Sequence, residues 1–324
     1  MTAQPFVSYA QNREDVVLWR ALQTVPAGRY VEVGANDPRH DSVTRAFYDR
    51  GWSGVTIEPV PAFAAAHRAE RPRDTQVEAA ITSGGSDTVT LHVVGDTGLS
   101  TLVDEISAGH AGSGFEVREV AVRARTLDAV LDEALDPDDD IHFMVVDVEG
   151  AERAVLESVD LRRWRPWVLV VEATAPTTPR TAHLGVRRTH EEWEPIVTGA
   201  GYRFCLFDGL SRFYVAEERA DALADTLSVP AGPLDFATTD ELVTLREEIA
   251  ELEATREDLV RQTVHWRAAA LTQWAEALAA ATEAAAPTTD HAELEAMRRT
   301  LSWRVTRPLR ATRRVLARVK RALR

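Results

Sequence analysis

Cysteine and long apolar runs are scarce in this chain of 324 residues. The single cysteine, Cys205, excludes a disulfide within the chain and fits a reducing, cytoplasmic setting. Its neighbours Phe204 and Leu206 favour a buried strand position over a reactive thiol. No apolar run approaches the roughly 18 residues that cross a bilayer. The segment Met1–Tyr9 has neither the basic start nor the apolar stretch of a signal peptide, so we expect none.

Several short catalytic motifs are also missing. The sequence has no cysteine pair and no closely spaced histidine pair of the kind that binds zinc. It also has no Gly-x-Ser-x-Gly nucleophile elbow and no Gly-Lys-Ser/Thr phosphate-binding loop. These absences argue against a zinc enzyme, a serine hydrolase with that elbow and a P-loop NTPase.

Charge is distributed unevenly along the chain. Residues 297–324 contain eleven of the 37 basic residues and none of the 51 acidic ones, which leaves the remainder with a net charge of −25. Leu301, Val305, Leu309 and Leu316 fall on one helical side of this segment, and arginines cover much of the rest. Such a pattern is typical of a helix in a membrane interface, so residues 301–324 are predicted to contact a membrane surface. A protein partner or non-specific electrostatic contact is the alternative, and nucleic acid is not expected because the segment has one aromatic residue and no recognisable module.

Short apolar runs alternate with helical patterns over the first two thirds of the chain. This alternation predicts an α/β fold with a doubly wound, mostly parallel sheet, and the content of 45% hydrophobic residues suffices for its core. Residues 95–118 read as irregular, and we expect them to act as a lid or binding loop. The predicted strands are Arg29–Val33, Gly54–Glu58, Thr75–Ala79, Thr88–Val93, His142–Asp147, Trp167–Glu172, Tyr202–Phe207 and Arg212–Val215. The predicted helices are Asn12–Leu22, Ser42–Arg50, Pro61–Glu70, Leu127–Ala134, Ala151–Val159 and His190–Ala200.

The C-terminal third has a different character. A catalytic domain over residues 1–220 is predicted to be followed by a linker at 221–237, an amphipathic helix or short coiled coil at 238–286 and the basic tail at 287–324. Leucine and isoleucine recur in steps of three and four between Leu242 and Leu259, and the pattern continues weakly to Ala270. Residues 242–270 are therefore expected either to associate with a second copy or to pack back onto the catalytic domain.

Two predicted strands end in acids beside features of a nucleoside site. Glu32 precedes the turn at Gly34, and Glu58 ends the next strand. Ligands of open parallel sheets bind beyond the carboxyl ends of the strands, where an acid after the second strand accepts hydrogen bonds from ribose hydroxyls. The turn lacks the three glycines of a dinucleotide fingerprint, and Glu32 would repel a pyrophosphate but suits an ammonium group. These residues therefore favour S-adenosylmethionine over NAD.

A second group of acids follows the strand at residues 142–147. Asp147, Glu149 and Glu152 lie at one strand end, and Glu172 ends the next predicted strand. Burial and mutual repulsion raise carboxyl pKa values, which suits a general base, and the same oxygens are possible ligands of a divalent cation. Glu149 and Glu152 have an alternative role as acids at a helix N-terminus. His190 is a further candidate for the base.

Taken together, seven stretches between residues 8 and 215 resemble the FkbM family of methyltransferases. The resemblance implies a class I methyltransferase (Rossmann-like) fold, S-adenosylmethionine as the methyl donor and a hydroxyl acceptor, often on a sugar or a polyketide-type product. It implies that Glu32, Gly34 and Asn36 line the methionine side, Glu58 the ribose, and that Asp147 and Glu149 lie between donor and acceptor. The matching stretches are Ser8-Tyr-Ala-Gln-Asn-Arg-Glu-Asp15, Val31-Glu-Val-Gly-Ala-Asn-Asp-Pro38, Gly51-Trp-Ser-Gly54, Ile57-Glu-Pro59, Val145-Val-Asp-Val-Glu-Gly-Ala-Glu152, Arg165-Pro-Trp-Val-Leu-Val-Val-Glu172 and Asp208-Gly-Leu-Ser-Arg-Phe-Tyr214.

The tail carries a second, shorter resemblance. Leu301-Ser-Trp-Arg-Val-Thr-Arg-Pro-Leu309 is similar to an ending found on glycosyltransferases and companion enzymes of cell-surface polysaccharide assembly. The leading hypothesis is therefore O-methylation of a sugar hydroxyl on a surface glycan or its precursor, in the cytoplasm or at the inner face of the membrane. The rival hypotheses are an NAD-dependent sugar oxidoreductase and a catalytically inactive nucleoside-binding scaffold.

Overall fold

Strands and helices alternate along the first two thirds of the chain, and one long helix and two short ones follow among the described residues. The computed structural model describes residues 5–95, 98–175, 187–284 and 291–306, with backbone alone at 291–292. The strands are β1 Val7–Ser8, β2 Arg29–Val33, β3 Ser53–Ile57, β4 Thr75–Val77, β5 Ala80–Ile81, β6 Thr88–Val94, β7 Val117–Arg125, β8 Phe143–Val146, β9 Val168–Glu172, β10 Tyr202–Phe207, β11 Ser211–Ala216 and β12 Thr238–Thr239. The helices are α1 Glu14–Leu22, α2 Arg45–Tyr48, α3 Pro61–Glu70, α4 Asp104–Gly112, α5 Leu127–Ala134, α6 Glu152–Glu157, α7 Glu194–Gly199, α8 Ala220–Leu227, α9 Asp240–Ala284, α10 His291–Arg299 and α11 Leu301–Val305.

A seven-stranded sheet forms the centre of the catalytic region. Its strand order is β10-β11-β9-β8-β2-β3-β4. Pairing is parallel from β4 to β9, and β11 runs antiparallel to both of its neighbours. The chain moves outward from β2 through β3 and β4 in one direction and from β8 through β9 in the other, so the strand order reverses between β2 and β8. The predicted α/β class with a doubly wound, mostly parallel sheet is confirmed.

Side chains alternate between the two faces of this sheet, and each face has its own helices. Val33 and Val146 belong to the core that includes Leu131 of α5. Tyr30 and Val145 belong to the core that includes α1 and α8 residues. Because successive strand side chains point to opposite faces, the acids that end β2, β8 and β9 lie on the α1 side.

A smaller sheet in the order β5-β7-β6 precedes α5. Here the predicted irregular segment 95–118 is wrong in part, because residues 104–112 form α4 and β7 begins at Val117. The hydrophobic pattern that would predict β7 is weak, because its apolar residues Val120 and Val122 pack in a small cluster with Leu91 and Val60. The helix α4 contains small residues that carry no clear apolar stripe.

The C-terminal third is helical, as predicted. The chain divides into two units between Arg246 and Glu247, and α9 extends 45 residues across this boundary. Residues 221–227 of the predicted linker instead belong to α8, in which Leu227 is completely buried. The apolar seam of α9, from Leu242 to Leu259, is exposed, and its association with a second copy stays a prediction.

Of the predicted basic tail, the structure describes residues 291–306. α11 is capped by Thr300, whose hydroxyl accepts a hydrogen bond from the Trp303 N–H. Residues 307–324 of the predicted membrane-contact segment lie outside the described residues. Of the helices that the structure describes, none combines the length and hydropathy of a bilayer-spanning segment.

Candidate functional site

Two adjoining cavities lie at the carboxyl ends of the parallel strands. The first, called here the apolar cavity, is lined by Val33, Gly34, Asn36, Ile57, Glu58, Pro59, Val60, Phe63, Ala79, Ala80, Ile81, Leu91, Gly98, Ser100, Leu102, Asp147, Val148 and Glu149. The second, called the acidic cavity, is lined by Gln11, Glu14, Glu32, Gly34, Ala35, Asn36, Asp41, Val43, Gly98, Leu99, Val145, Asp147 and Glu149. Asp147 and Glu149 line both, so they lie where the two cavities meet.

Gly34 fixes how closely β2 and β8 approach each other at this edge. Its φ is +85°, and a Cβ atom there would lie 1.7 Å from the backbone oxygen of Asp147. A glycine in such a turn also allows the backbone to approach a ligand closely. The structure shows that Gly34 is needed because of the neighbouring strand β8. Any larger residue at this position would collide with the backbone of Asp147 unless the backbone moved.

Glu58 organises the turn that follows Gly34. Its two carboxylate oxygens accept hydrogen bonds from the N–H groups of Asn36, at 2.9 Å, and Val60, at 2.7 Å. Asn36 has a φ of 45°, and its carbonyl lies 3.0 Å from Nε2 of His67. Burial lowers the pKa of His67 to about 4, so the neutral ring donates this bond. Glu58 is thereby held at the cavity wall with lone pairs still free to accept further hydrogen bonds.

The walls of the apolar cavity are mostly hydrocarbon. Val60 and Phe63 come from the loop after β3 and from α3, Leu91 from β6, and Leu102 from the segment before α4. A cavity with apolar walls and one buried acid suits a nucleoside, whose flat base is apolar and whose ribose donates hydrogen bonds. None of these four apolar residues was predicted as a site residue, because the sequence does not show that the small sheet folds over the ends of β2 and β3.

Glu32 is nearly fully buried at the base of the acidic cavity. It accepts a hydrogen bond from the Thr44 hydroxyl, and Nη1 of Arg71 lies 3.9 Å from its carboxylate. Burial raises the pKa of Glu32 to about 7, against the attraction of Arg71. The same Arg71 also pairs with Asp74 at 2.8 Å. Glu32 therefore keeps one face toward the cavity while Arg71 supports it from within the protein.

The acids that follow β8 divide into two roles. Asp147 and Glu149 are partly buried and face both cavities. Glu152 instead accepts the N–H groups of Gly150, at 2.9 Å, and Val148, at 3.3 Å, so it closes the turn before α6. The alternative role expected from the sequence, an acid at a helix start, therefore describes Glu152 and not the other two.

Burial raises the pKa of the carboxyls at this rim. The pKa of Asp147 is raised, but a hydrogen bond with Glu172 opposes the effect. For Glu149 the charges of Asp147 and Glu152 add to burial, and its pKa is well above the usual range. Glu149 also has a φ of 51°, and its carbonyl accepts a hydrogen bond of 2.8 Å from the Thr101 hydroxyl. Asp147 is therefore the carboxyl best suited to be ionised near neutral pH.

The remaining predicted residues have different surroundings. His190 lies 3.9 Å from Glu194, which also accepts hydrogen bonds from Arg212 and Tyr214. Among the described residues that line the two cavities, His190 does not occur. Glu14 does line the acidic cavity, and its only signal in the sequence is its place in the Ser8–Asp15 stretch that carries the family resemblance.

The structure does not support the divalent cation that the acids allow from the sequence alone. Within the described residues, no three histidine, cysteine, aspartate or glutamate side chains are grouped so that they could hold a metal ion. The acids at the rim instead contact backbone N–H groups, hydroxyls and one another.

Comparison with known proteins identifies the family. The methyltransferase FkbM domain matches residues 32–204, more than half of the chain. No curated protein matches the sequence. A TehB-like SAM-dependent methyltransferase from Corynebacterium glutamicum is 8% identical over 62% of this chain and 87% of its own, with a TM-score of 0.32. For a precorrin-6y C5,15-methyltransferase from Geobacter metallireducens, the identity is 15%, the coverage 65% and 93%, and the TM-score 0.34. An O-methyltransferase from Bacillus cereus in complex with SAH is 13% identical over 62% of this chain and 80% of its own, with a TM-score of 0.33.

The family match begins at Glu32 and includes Gly34, Asn36, Glu58 and the Asp147–Glu149 turn, so it contains every residue shared by the two cavities. The match favours a methyltransferase over the two rival hypotheses, an NAD-dependent sugar oxidoreductase and a catalytically inactive scaffold. The chain belongs to the FkbM methyltransferase family.

Proposed function

We propose that this methyltransferase transfers a methyl group from S-adenosylmethionine to a hydroxyl of a sugar, in a cell-surface glycan or its precursor. The observation that carries the proposal is that the apolar and acidic cavities meet at Asp147 and Glu149. One cavity has the lining for a nucleoside. The other holds Glu32, which suits the ammonium group of the donor, and its remaining carboxyls can bind a hydroxyl and take its proton. Donor and acceptor would then meet beside Asp147.

The residues present fit the cofactor. Glu58 has unused lone pairs for ribose hydroxyls, and Glu32 offers a buried carboxylate to an ammonium group. Gly34 and Asn36 line both cavities between these two acids. When bound, S-adenosylmethionine supplies an electrophilic methyl group on a positively charged sulfur, which keeps the bonding electron pair as the methyl group leaves.

Asp147 takes the acceptor proton in this proposal. The hydroxyl hydrogen passes to a carboxylate oxygen of Asp147 as the hydroxyl oxygen forms its new bond to carbon. Burial and the charges of Asp147 and Glu152 raise the pKa of Glu149 well above its usual range, and its carboxyl lies beside Asp147 to form a hydrogen bond with the acceptor. Most of the rate gain in such a transfer comes from placing the two reactants correctly, and the paired cavities provide that placement.

The sugar acceptor is supported by two features of the chain. A cavity wall of carboxyls binds groups that donate several hydrogen bonds, and sugars offer these. The tail resembles endings of enzymes of polysaccharide assembly, which favours a glycan handled near the inner membrane surface. The polyketide-type acceptors implied by the family offer fewer hydroxyl donors to the acidic cavity.

Calorimetric titration with S-adenosylhomocysteine tests the cofactor assignment. We expect Glu58→Ala to weaken binding by about tenfold or more, because the ribose hydroxyls lose a charged acceptor. Glu70→Ala is the matched control, since Glu70 is a half-exposed acid on α3 that lines neither cavity. Unchanged affinity in Glu58→Ala would show that the ribose assignment is wrong.

Mass spectrometry of the surface glycan tests the acceptor. Glycan from host cells with and without the protein should differ by one methyl group on a sugar. Cells that produce Asp147→Asn should give the unmethylated glycan. Identical glycan masses in all three strains would contradict the proposed acceptor while leaving the cofactor assignment intact.

A further inference from the structure

The long helix α9 carries an apolar stripe along one face. Ile249, Val260, Leu271 and Leu278 are spaced by eleven, eleven and seven residues, close to whole numbers of helical turns. Their exposed fractions lie between 47% and 56%, and no residue of α9 is buried within the part of the chain that the structure describes. An exposed apolar stripe of this kind indicates a surface that another protein surface covers.

Two opposite charges interrupt this stripe. Glu253 and Arg267 lie on the same face as Val260, each seven residues away from it, and both are exposed. Among the described residues, neither of them forms an ion pair, whereas Arg261 pairs with two acids of the same helix. Glu253 and Arg267 are therefore available to charges on the surface that covers the stripe.

The stripe is symmetric about Val260 in a way that pairs complementary side chains. Eleven residues before and after Val260 are Ile249 and Leu271, which are both apolar. Seven residues before and after it are Glu253 and Arg267, which are opposite in charge. A two-fold axis through Val260, perpendicular to the helix, places each residue opposite the one equally far on the other side. Such an axis matches apolar with apolar and acid with base.

The parallel arrangement of two such helices is unfavourable by the same charges. In a parallel pair in register each residue faces its own copy, so Glu253, Arg256 and Arg267 would all meet like charges. In the antiparallel pair, Arg256 faces Val264, which is four residues beyond Val260. The methylene groups of Arg256 can lie against this valine while the guanidinium reaches solvent. Charge therefore selects the antiparallel orientation.

We propose that α9 pairs with α9 of a second copy of this chain, antiparallel and centred on Val260. In this pair Ile249 packs against the partner's Leu271, and Glu253 forms an ion pair with the partner's Arg267. Each of these contacts occurs twice because of the two-fold axis. The stripe thus specifies the partner, the orientation and the register of the contact.

Disulfide cross-linking of the full chain tests the orientation and the register. The variants are made in Cys205→Ser, which removes the single native cysteine. Val260→Cys should cross-link to its own copy under mild oxidation. Ile249→Cys and Leu271→Cys should each fail to do so, because the two copies of either position are about 33 Å apart in the antiparallel pair. The variant with both of these cysteines should form cross-linked dimers.

Three results would overturn the proposal. A strong cross-link in Ile249→Cys alone would show a parallel pair, and no cross-link in Val260→Cys would show a different register. Light scattering of the unchanged full chain should give twice the mass of a single chain. A monomer, as expected if the stripe binds within its own chain or to a different protein, would exclude the pairing altogether.

Charge reversal tests the ion pair. Glu253→Arg and Arg267→Glu should each raise the Kd of the dimer by about tenfold or more, because each creates two like-charged contacts per dimer. The variant with both reversals should regain the original Kd. Sedimentation equilibrium provides the measurement, and circular dichroism verifies the helix content of each variant.

Glu276→Arg is the matched control for these reversals. Glu276 is exposed and lies two residues before Leu278, so it is on a different face of α9 from the stripe. Its reversal should leave the Kd unchanged. An unaltered Kd in both single reversals, or no recovery when they are combined, rules out the contact between Glu253 and the partner's Arg267 and with it the proposed register.

Discussion

Asp147 and Glu172 lie at the ends of the neighbouring parallel strands β8 and β9, and each carboxyl shifts the pKa of the other. The register pairs Val146 with Val171, so the two acids follow on the same side of the sheet. Two carboxyls can share a hydrogen bond only if one of them carries a proton. The pKa of Glu172 is raised well above its usual range by burial and by the charge of Asp147, so Glu172 is the donor.

This pair predicts the pH dependence of methyl transfer. The donated hydrogen bond lowers the pKa of Asp147, which must be ionised to accept a proton, so activity falls as the pH drops through that pKa. Glu172→Leu removes the donor and should move the acidic limb of kcat/KM to higher pH. Glu172→Gln keeps an N–H donor and should leave the limb in place. Coincident acidic limbs in Glu172→Leu and the unchanged protein would contradict this role.

Cofactor affinity should also depend on pH. Burial raises the pKa of both Glu58 and Glu32 to about 7. Around Glu32, Arg71 and Thr44 lower the pKa and Asp74 raises it, and the charge of Glu32 adds to the raised pKa of Glu58. The ionised forms bind the cofactor, so affinity should fall as pH decreases through 7, by up to about tenfold per group between pH 8 and pH 6. Calorimetry with S-adenosylhomocysteine across this range provides the measurement. Glu58→Gln should flatten the profile, and an equally steep profile in that variant would exclude Glu58 as its source.

Stability without the cofactor should fall as pH rises. Burial and the charge of Asp208 raise the pKa of Glu14 to about 8, and Asp15, the Asn12 N–H and the Ser211 hydroxyl also face it. A carboxyl with a raised pKa in the folded state contributes stability that is fully present below about pH 4.5 and is lost as pH rises through 8. Glu14→Gln should therefore be more stable than the unchanged protein at pH 8.5, by about 1 kcal/mol or more. Denaturant titrations at pH 6 and 8.5 measure the difference, and an equal pH slope in both proteins would refute it.

Gly34 and Gly51 provide a matched pair of substitutions. Both have a positive φ, +85° and +91°, but a Cβ at Gly34 meets the Asp147 backbone oxygen while a Cβ at Gly51 has nothing within 4 Å. Gly51→Ala should cost only the backbone strain, about 1 kcal/mol. Gly34→Ala should cost several times more and abolish binding of S-adenosylhomocysteine. Equal losses of unfolding free energy in the two variants would show that the contact with Asp147 does not matter.

The basic tail provides a prediction from sequence alone. Truncation after Pro287 removes every basic residue of the segment 297–324. Each basic residue near an anionic bilayer contributes about 1 kcal/mol, so the full chain should sediment with phosphatidylglycerol vesicles and the truncated chain should remain in the supernatant. Neutral phosphatidylcholine vesicles are the control. Equal sedimentation of both chains with anionic vesicles would dispose of the membrane contact.

The strand ends that carry the site could be read from the sequence. Strands buried on both faces appear as continuous apolar runs, and an acid at the end of such a run is conspicuous. Glu32, Glu58, Asp147 and Glu172 were found in this way. The central strands were predicted to within two residues at each end, and the overall α/β order followed from them.

The roles of neighbouring acids could not be read in the same way. Glu149 and Glu152 are three residues apart, yet the first faces both cavities and the second binds the N–H groups of its own turn. Glu149 also has a positive φ, which no periodicity of polar and apolar residues encodes. Similarly, His190 had suitable chemistry but lies beside Glu194 rather than in a cavity wall.

The sequence by itself determined which residues form the sheet and which acids stand at its edge, because both follow from local patterns of burial along single strands. Only the tertiary structure decided that Glu14, Asp41 and Leu102 also line the cavities and that Glu172 pairs with Asp147. These contacts join residues far apart in the chain. They depend on strand order, on which face each helix covers and on how the small sheet folds over the strand ends, and a linear pattern of polar and apolar residues does not specify those arrangements.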